Sequence, residues 1–372
     1  MEKNLIKEPP AAIKHPVQRN RAELYLLITL VCFGLSVALA RLFLDLAGYP
    51  QIGNSELHIA HVLWGGLLLF LAVLVLLLFA NPWVYPVGAM LGGVGIGLFI
   101  DEVGKFITQS NDYFYPWAAP IIYTFFLLTV MVYLRVNRQR EHDARTEMYH
   151  ALDLLTEVLD HDLEPSEHEQ LERHLSEIQK STDNPDLSRL ASLLLDYITG
   201  SDVHLAPEHP EAWQRATEWV ALFEEHWFSR RKMRWVILVG ISALGVLSLL
   251  QLGMVVRIQQ TPDALSSALL DLISAGQVKG LQGARWFAAY TTVQGSIGLL
   301  KLVSAFLLVI GRERSGINFA YLGLLMELTA ANLLAFYFDQ FSTIFFAIAQ
   351  LIMLLVIIRY RDRFLMDEEQ PA

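Results

Sequence analysis

The chain places two histidines and two adjacent carboxylates in apolar surroundings, where ionisable side chains are rare. His58 and His61 open one apolar run, and Asp101 and Glu102 lie near the end of the next, with Lys105 one turn later. Two imidazoles with one or two carboxylates suit Zn²⁺, Fe²⁺ or Mn²⁺. Because ionisable groups in a membrane helix usually serve a function, these residues predict a polar pocket that binds a divalent metal.

The chemistry of each side chain predicts its role in this pocket. The predicted metal ligands are His58, His61 and Asp101. Glu102 is either a further ligand or the general base that activates a metal-bound water for hydrolysis. The groups predicted to orient an anion or substrate are Arg41 and Lys105. A purely structural interpretation is also open, in which Asp101 pairs with Lys105 in its own helix and Arg41 pairs with Asp45.

Helical spacing brings several of these groups onto common faces. His58, His61 and Gly65 lie along one stripe, since spacings of three, four and seven residues return to the same helix face. Gly97 and Asp101 likewise share a face of the third apolar run, which is rich in glycine. Glycines let a neighbouring helix backbone approach closely. The pattern therefore predicts that a carboxylate ends a helix contact face.

Composition identifies the elements that carry these residues. Of the 372 residues, 54% are hydrophobic and 18% charged, and the mean hydropathy is +0.39. These values are typical of a polytopic α-helical membrane protein. Crossing the bilayer takes about 20 apolar residues, and eight runs approach or exceed that length: 23–47, 58–80, 85–107, 116–136, 235–256, 285–310, 316–338 and 343–360.

Flanking charges predict the orientation of these spans. Lys and Arg cluster in five flanks: 14–21, 135–140, 230–234, 312–314 and 359–363. Eight spans place all five on one side, which the excess of positive charge marks as cytoplasmic. We therefore predict a multi-pass protein of the cell (inner) membrane with both termini in the cytoplasm. The His58–Lys105 pocket then faces the extracytoplasmic side.

A strongly acidic segment separates the spans into two halves. Residues 142–229 hold 20 acidic and 5 basic side chains, a net charge of −15, whereas the rest of the chain has a net charge of +5. The predicted domains are a tail 1–22, a four-helix membrane unit 23–137, an acidic helical cytoplasmic domain 138–234, a second four-helix unit 235–364 and a tail 365–372. Such an acidic surface excludes nucleic acid as a partner. A cytoplasmic protein partner of this domain is an open alternative.

The acidic domain also contains eight of the eleven histidines. One stretch, from His168 to His174, approaches a zinc-protease helix but misses it, because Glu172 occupies the position of the second histidine. A solvated helix face is the simpler interpretation, with unspecific binding of a divalent cation as an alternative. Glu164-Pro165 and Asn184-Pro185 predict helix starts within the domain.

The second membrane half has intramembrane charges of its own. Lys301 and Glu327 both fall near the predicted bilayer midplane, and either charge alone would cost several kcal/mol there. We therefore predict an ion pair. It is either a packing device or the proton-carrying element of a transporter, whose site would comprise Lys301, Glu327, Asn332 and Gln294.

A faint internal similarity suggests two parallel four-helix repeats. Phe99-Ile100-Asp101-Glu102 resembles Tyr337-Phe338-Asp339-Gln340, and His61 through Gly65 can be aligned with Gln294 through Gly298. Parallel repeats occur among transporters. In this alignment the ligand-competent side chains appear in the first copy alone.

Missing motifs narrow the function without choosing it. The chain has no phosphate-binding Gly-x-x-x-x-Gly-Lys-Ser/Thr loop and no Gly-x-Ser-x-Gly nucleophile elbow, which argues against ATP-driven transport and that class of hydrolase. Three classes remain: a membrane metalloprotein or metalloenzyme at the outer leaflet, an ion- or proton-coupled secondary transporter, and a sensor or scaffold acting through the acidic domain. Whether the protein is an enzyme, and its oligomeric state, stay open at this level.

Overall fold

The structure, a computed structural model, describes residues 16–48, 60–113, 115–138, 143–181, 184–200, 205–207, 229–260, 280–338 and 342–365. Every regular element in these ranges is a helix, so the chain is an all-α polytopic membrane protein. The first half comprises α1 (Ala22–Ala47), α2 (His61–Leu78), α3 (Val84–Ile100), α4 (Val103–Ile107) and α5 (Ala118–Arg138). The middle comprises α6 (Ala144–Asp160), α7 (Pro165–Ser181) and α8 (Pro185–Ile198). The second half comprises α9 (Arg230–Gln260), α10 (Gly280–Val309), α11 (Glu313–Met326), a π-helical turn (Glu327–Ala331), α12 (Asn332–Phe338) and α13 (Ser342–Phe364).

Seven helical stretches of the described chain are long and apolar enough to cross a bilayer. The remaining predicted span, 85–107, is not the continuous helix that the sequence predicts. α3 is apolar but ends at Ile100 after 17 residues, a length of about 26 Å. The chain turns at Asp101 and Glu102 before α4 begins, and Glu102 has φ −91° and ψ 9°, in the sparsely populated region between helix and strand.

Backbone contacts divide the chain into two compact units, each of which is described by itself. The first unit comprises the described residues within 1–30, 71–91 and 130–211. Its core lies among α6, α7 and α8, where Ala151, Leu171, Leu175 and Ile178 are fully buried. α7 and α8 begin at the two predicted prolines, and the Asn184 side chain accepts hydrogen bonds from the first free backbone N–H groups of α8, which is a common way to start a helix.

The second unit comprises the described residues within 31–70, 92–129 and 212–372. Its largest apolar core joins α9, α10, α11 and α13 and includes Ile237, Ile241, Ile317 and Ile357. Large apolar side chains such as Leu63 and Phe306 are exposed on the outer faces of the helices. A bilayer covers such faces, since lipid is the solvent that apolar surface prefers.

The predicted repeat finds no support in the packing of its aligned glycines. A Cβ atom on Gly65 would meet α3, whereas one on Gly298 would meet Ser248 and Gly245 of α9. Gly65 of α2 thus packs against the helix that follows it in the chain, whereas Gly298 of α10 packs against the helix that precedes it. The duplication stays a prediction, because Asp339 and Gln340 lie outside the described residues.

Candidate functional site

Close helix crossings bring the candidate residues of the first half together. A Cβ atom added to Gly65 of α2 would lie 2.6 Å from the backbone nitrogen of Phe99 in α3. One added to Gly97 would lie 2.9 Å from the carbonyl oxygen of Phe33 in α1. Backbones can approach this closely only where glycine leaves the space. Both crossings lie within about two turns of Asp101, so α1 and α2 converge on the end of α3.

Asp101 is the centre of the resulting cluster and is completely buried. The Arg41 Nε–H donates to its Oδ1, and the Arg41 Nη2–H donates to its backbone carbonyl at 3.0 Å. The Tyr113 hydroxyl donates to Oδ2 at 2.7 Å, and His61 Nε2 lies 3.1 Å from the same oxygen. Arg41 of α1 and His61 of α2 thus offset the charge of a buried carboxylate, and Tyr113 from the loop after α4 adds a hydrogen bond to it.

His61 lies between two carboxylates. Its Nε2 faces Asp101, and its Nδ1 lies 3.0 Å from Oε1 of Glu102, which is also almost completely buried. Lys105 lies 3.2 Å from the same Glu102 oxygen. An imidazole can donate from both nitrogens only when it is protonated. The arrangement therefore favours an imidazolium that bridges Asp101 and Glu102.

This geometry bears directly on the predicted metal pocket. The structure brings Arg41, His61, Asp101, Glu102 and Lys105 into one cluster, as the sequence predicts, while His58 lies outside the described residues. Asp101 lies next to Nε2 of His61, and Glu102 lies next to Nδ1 on the other side of the ring. In this arrangement a metal ion bound to one of these nitrogens contacts one of the two carboxylates. The metal site predicted at His58, His61 and Asp101 stays a prediction.

The ion pairs differ from those of the purely structural interpretation. That interpretation pairs Asp101 with Lys105, whereas the structure pairs Asp101 with Arg41 and His61 and pairs Lys105 with Glu102. The turn after Ile100 explains the change, because it removes Asp101 and Lys105 from a common helix face. Tyr113 belongs to the cluster as well, and its position in the sequence gave no sign of that contact.

A second site lies in the other half, where Lys301 of α10 meets Glu327. The Lys301 ammonium lies 2.7 Å from Oε1 and 2.6 Å from Oε2 of Glu327, and the exposed fractions of the two residues are 0% and 1%. The pairing follows the sequence prediction. Leu324 and Leu328, which flank Glu327 in the chain, belong to the apolar core. Each charge of the pair therefore depends on the other for neutralisation.

Glu327 opens a π-helical turn in an otherwise α-helical span. The Tyr123 hydroxyl of α5 donates to the carbonyl oxygen of Leu328 within this turn, at 2.5 Å. π-helical turns inside α-helices frequently mark functional positions, since they displace the register of the side chains that follow. The sequence carries no visible signal for the turn.

The other predicted transport residues lie near this pair along their helices. Asn332 follows the π-helical turn and donates to the side-chain oxygen of Gln350 at 2.7 Å, and both residues are buried. Gln294 lies two turns before Lys301 on the same face of α10. Its side-chain oxygen is buried, and no donor from the described residues reaches it. Lys301 and Glu327 are therefore in contact, whereas Asn332 and Gln294 have other environments.

Sequence reasoning missed a third group, in the acidic domain. One potential ligand atom each from Glu147, His150 and His174 lies within 4.8 Å of the others. The spacing Glu-x-x-His in α6 was the available signal, because it puts two ligands on one helix face. Among the described residues these three bring potential ligand atoms together. His168 is not part of the group, and its Nε2 faces the carbonyl of Ile198.

Fold and sites together define a class: an α-helical multi-pass membrane protein with two buried clusters of paired charges and a helical domain between its membrane halves. Comparisons with protein-family models, with curated proteins and with solved structures found no match for this chain. A functional hypothesis must therefore rest on the geometry of its own residues.

Proposed function

We propose that this protein is a proton-coupled secondary transporter in which Glu327 carries the proton. One observation carries the proposal: Lys301 and Glu327 form a fully buried ion pair at the π-helical turn of a membrane span. Ionisable residues inside the membrane are expensive, and proton relays are one of the purposes for which they occur.

The pair has the energetics that a switch requires. While Lys301 and Glu327 are in contact their charges cancel, but separation would leave two unpaired ions at a cost of several kcal/mol each in a low-dielectric interior. Protonation of Glu327 removes one of those charges and lowers the cost of separation. Proton binding is thereby linked to any rearrangement that moves α10 relative to the π-helical turn.

The cluster around His61 supports the same function at the end predicted to be extracytoplasmic. α3 is interrupted beside it, and interrupted helices form many ion and substrate sites in transporters. His61 holds a proton between two carboxylates, and histidines with acidic partners form proton relays in pumps and transporters. In this proposal it exchanges protons with the outer solution, and Arg41 and Lys105 attract anionic solutes.

Proton flux in proteoliposomes tests the proposal. The purified chain is reconstituted with a pH-sensitive dye inside, a membrane potential is imposed, and a panel of inorganic ions, amino acids and sugars is added outside. We expect solute-dependent proton entry with the native chain and none with Glu327→Gln. The matched control is Glu313→Gln, which removes another glutamate of the span that contains Glu327. Glu313 pairs with Arg230 of α9, and its replacement should leave flux intact.

A double variant separates transport from folding. Lys301→Met combined with Glu327→Leu replaces the pair by apolar side chains of similar volume, which usually preserves stability. We expect this variant to fold and insert while proton flux is lost. Native flux in the double variant, or no solute-dependent flux from the native chain with any member of the panel, would contradict the proposal.

A further inference from the structure

We infer that the acidic domain contains a Zn²⁺ site whose ligands are Glu147 and His150 of α6 and His174 of α7. One ligand atom from each residue lies within 4.8 Å of the other two. Two histidines and one glutamate are a common zinc ligand set when a fourth position is left open. The site is independent of the proposed transport function, because none of its residues belongs to a membrane span.

The hydrogen bonding of His150 fits a metal ligand. Its Nε2 lies 3.1 Å from the backbone carbonyl oxygen of Gln18, to which it donates. A hydrogen bond of this kind fixes the tautomer and leaves Nδ1 with a free lone pair. Zinc-bound histidines usually donate their other ring N–H in the same way. The Gln18 carbonyl therefore orients the ring in the way that a second-layer partner of a metal site does.

The contact between Glu147 and His174 also fits. His174 Nδ1 lies 2.5 Å from Glu147 Oε2, with the Glu147 side chain 8% exposed. Zinc ligands at bond lengths of 2.0–2.2 Å in a tetrahedron lie about 3.3–3.5 Å apart. Zn²⁺ would thus replace the proton shared by these two atoms, widening their separation by about 1 Å, while His150 moves closer.

The structure leaves room for the fourth ligand. Glu147 and His174 line an open cleft of about 660 Å³, whose other walls include Glu172, Glu177 and Arg173. Two of the three ligands, Glu147 and His174, line this cleft, so a water molecule or an external carboxylate can reach a metal bound to them and complete the tetrahedron. The walls carry three glutamates, Glu147, Glu172 and Glu177, against two basic side chains, Arg173 and Lys180, and this small excess of negative charge favours a cation.

Burial holds the ligand helices at a defined distance. Ala151 of α6 and Leu171 and Leu175 of α7 are fully buried in one core next to the ligands. The His150 and His174 rings meet edge to face with centroids 5.6 Å apart. Ligands on packed helices pay little entropy for ordering when the metal binds, which favours tight binding.

Elemental mass spectrometry on the purified full-length protein, after Zn²⁺ supplementation and removal of loose metal, tests the inference. We expect about one zinc per chain, lost in His150→Asn/His174→Asn. The matched control is His161→Asn, which removes an exposed histidine from the same domain at a position with φ +57° that asparagine tolerates. Glu147→Gln should weaken Zn²⁺ binding about 100-fold or more, since loss of an outer-shell partner alone costs about 10- to 100-fold.

Two further measurements distinguish loss of this zinc site from a folding defect and from zinc bound elsewhere in the protein. Hydrogen exchange of the native full-length chain should show Zn²⁺-dependent protection in α6 and α7. His61→Asn should retain the zinc. Equal zinc content in the His150→Asn/His174→Asn variant and the native chain, loss of zinc in His61→Asn instead, or no zinc in the native chain would each overturn the inference.

Discussion

The membrane helices and the acidic helical domain manage charge in opposite ways. In the membrane helices the buried charges Asp101, Glu102, Lys301 and Glu327 each face an opposite charge within 3.2 Å. In the acidic domain, like charges crowd together on helix surfaces, as around Glu157. Water and salt screen the second arrangement but cannot reach the first. The membrane region therefore depends on pairing, whereas the acidic domain tolerates repulsion.

Within the membrane region the two clusters differ in redundancy. Glu327 has a single cationic partner, whereas Asp101 has Arg41, His61 and the Tyr113 hydroxyl. Loss of one partner from a pair leaves a bare charge, but loss of one member of a network leaves other groups to compensate. Substitutions in the pair should therefore cost more stability than substitutions in the network.

Glu327→Leu should cause the largest loss of stability, about 3–5 kcal/mol, because it leaves the Lys301 ammonium buried and unpaired. Combining it with Lys301→Met should restore most of that loss. Chemical unfolding in detergent micelles measures both variants. If the double variant is no more stable than the single one, the ion pair is not the source of the effect.

Asp101→Asn should cost less, about 2–3 kcal/mol, because Asp101 belongs to a network of several partners. The smaller value is expected because His61 can give up its proton and so remove one of the two charges left behind. Lys105→Gln should change stability by less than about 1 kcal/mol, because Lys105 is partly exposed and Glu102 keeps His61 as a partner. The same unfolding assay ranks the three variants, and a larger loss for Lys105→Gln would refute the network argument.

Gly65→Ala tests whether the cluster depends on the close crossing of α2 and α3. The added methyl would meet the backbone of Phe99 at 2.6 Å, so the helices must separate, at a cost of about 1–3 kcal/mol. The neighbouring Gly66→Ala is a matched control, since nothing lies within 4 Å of its Cβ position. Unfolding midpoints of the two variants should differ, and equal values would show that the crossing can relax.

Glu157→Gln should have the smallest effect and should depend on pH. Desolvation, followed by repulsion from Glu167, Asp162 and Asp160, raises the pKa of Glu157 from its ordinary 4.5 to about 7. The folded chain therefore binds an extra proton between these two pH values, and its stability falls as the pH rises through that window.

The glutamine variant should consequently be more stable than the native chain above about pH 7 and no different below about pH 4. Thermal unfolding followed across this range measures the difference, and added salt should reduce it, since part of the shift is repulsion between charges. A stability gain that is independent of pH would assign the effect to packing instead of charge.

Much of the architecture was predictable because apolar runs and charge clusters are local signals. Helix starts at Pro165 and Pro185, the multi-span class and the acidic insert all appear in windows of about twenty residues. The Lys301–Glu327 contact was also predictable, since two opposite charges at one depth of a bilayer have few other ways to be neutralised.

Other features of the sites depended on tertiary contacts that no local window contains. The turn at Asp101 and Glu102, the π-helical turn at Glu327 and the position of Tyr113 result from packing between helices that are distant in the chain. The convergence of Glu147, His150 and His174 was missed for the same reason, because one of its three ligands comes from a different helix.

The sequence by itself determined that this chain spans the membrane several times, carries an acidic helical insert and buries a small number of charges, because hydrophobicity and charge act residue by residue. Only the tertiary structure decided which of those charges meet. Glycine crossings of α1 and α2 with α3 directed Arg41 and His61 to Asp101, and the crossing of α6 with α7 brought His174 to Glu147. Contact between side chains depends on the angle and depth at which helices pack, and that geometry is a property of the whole fold.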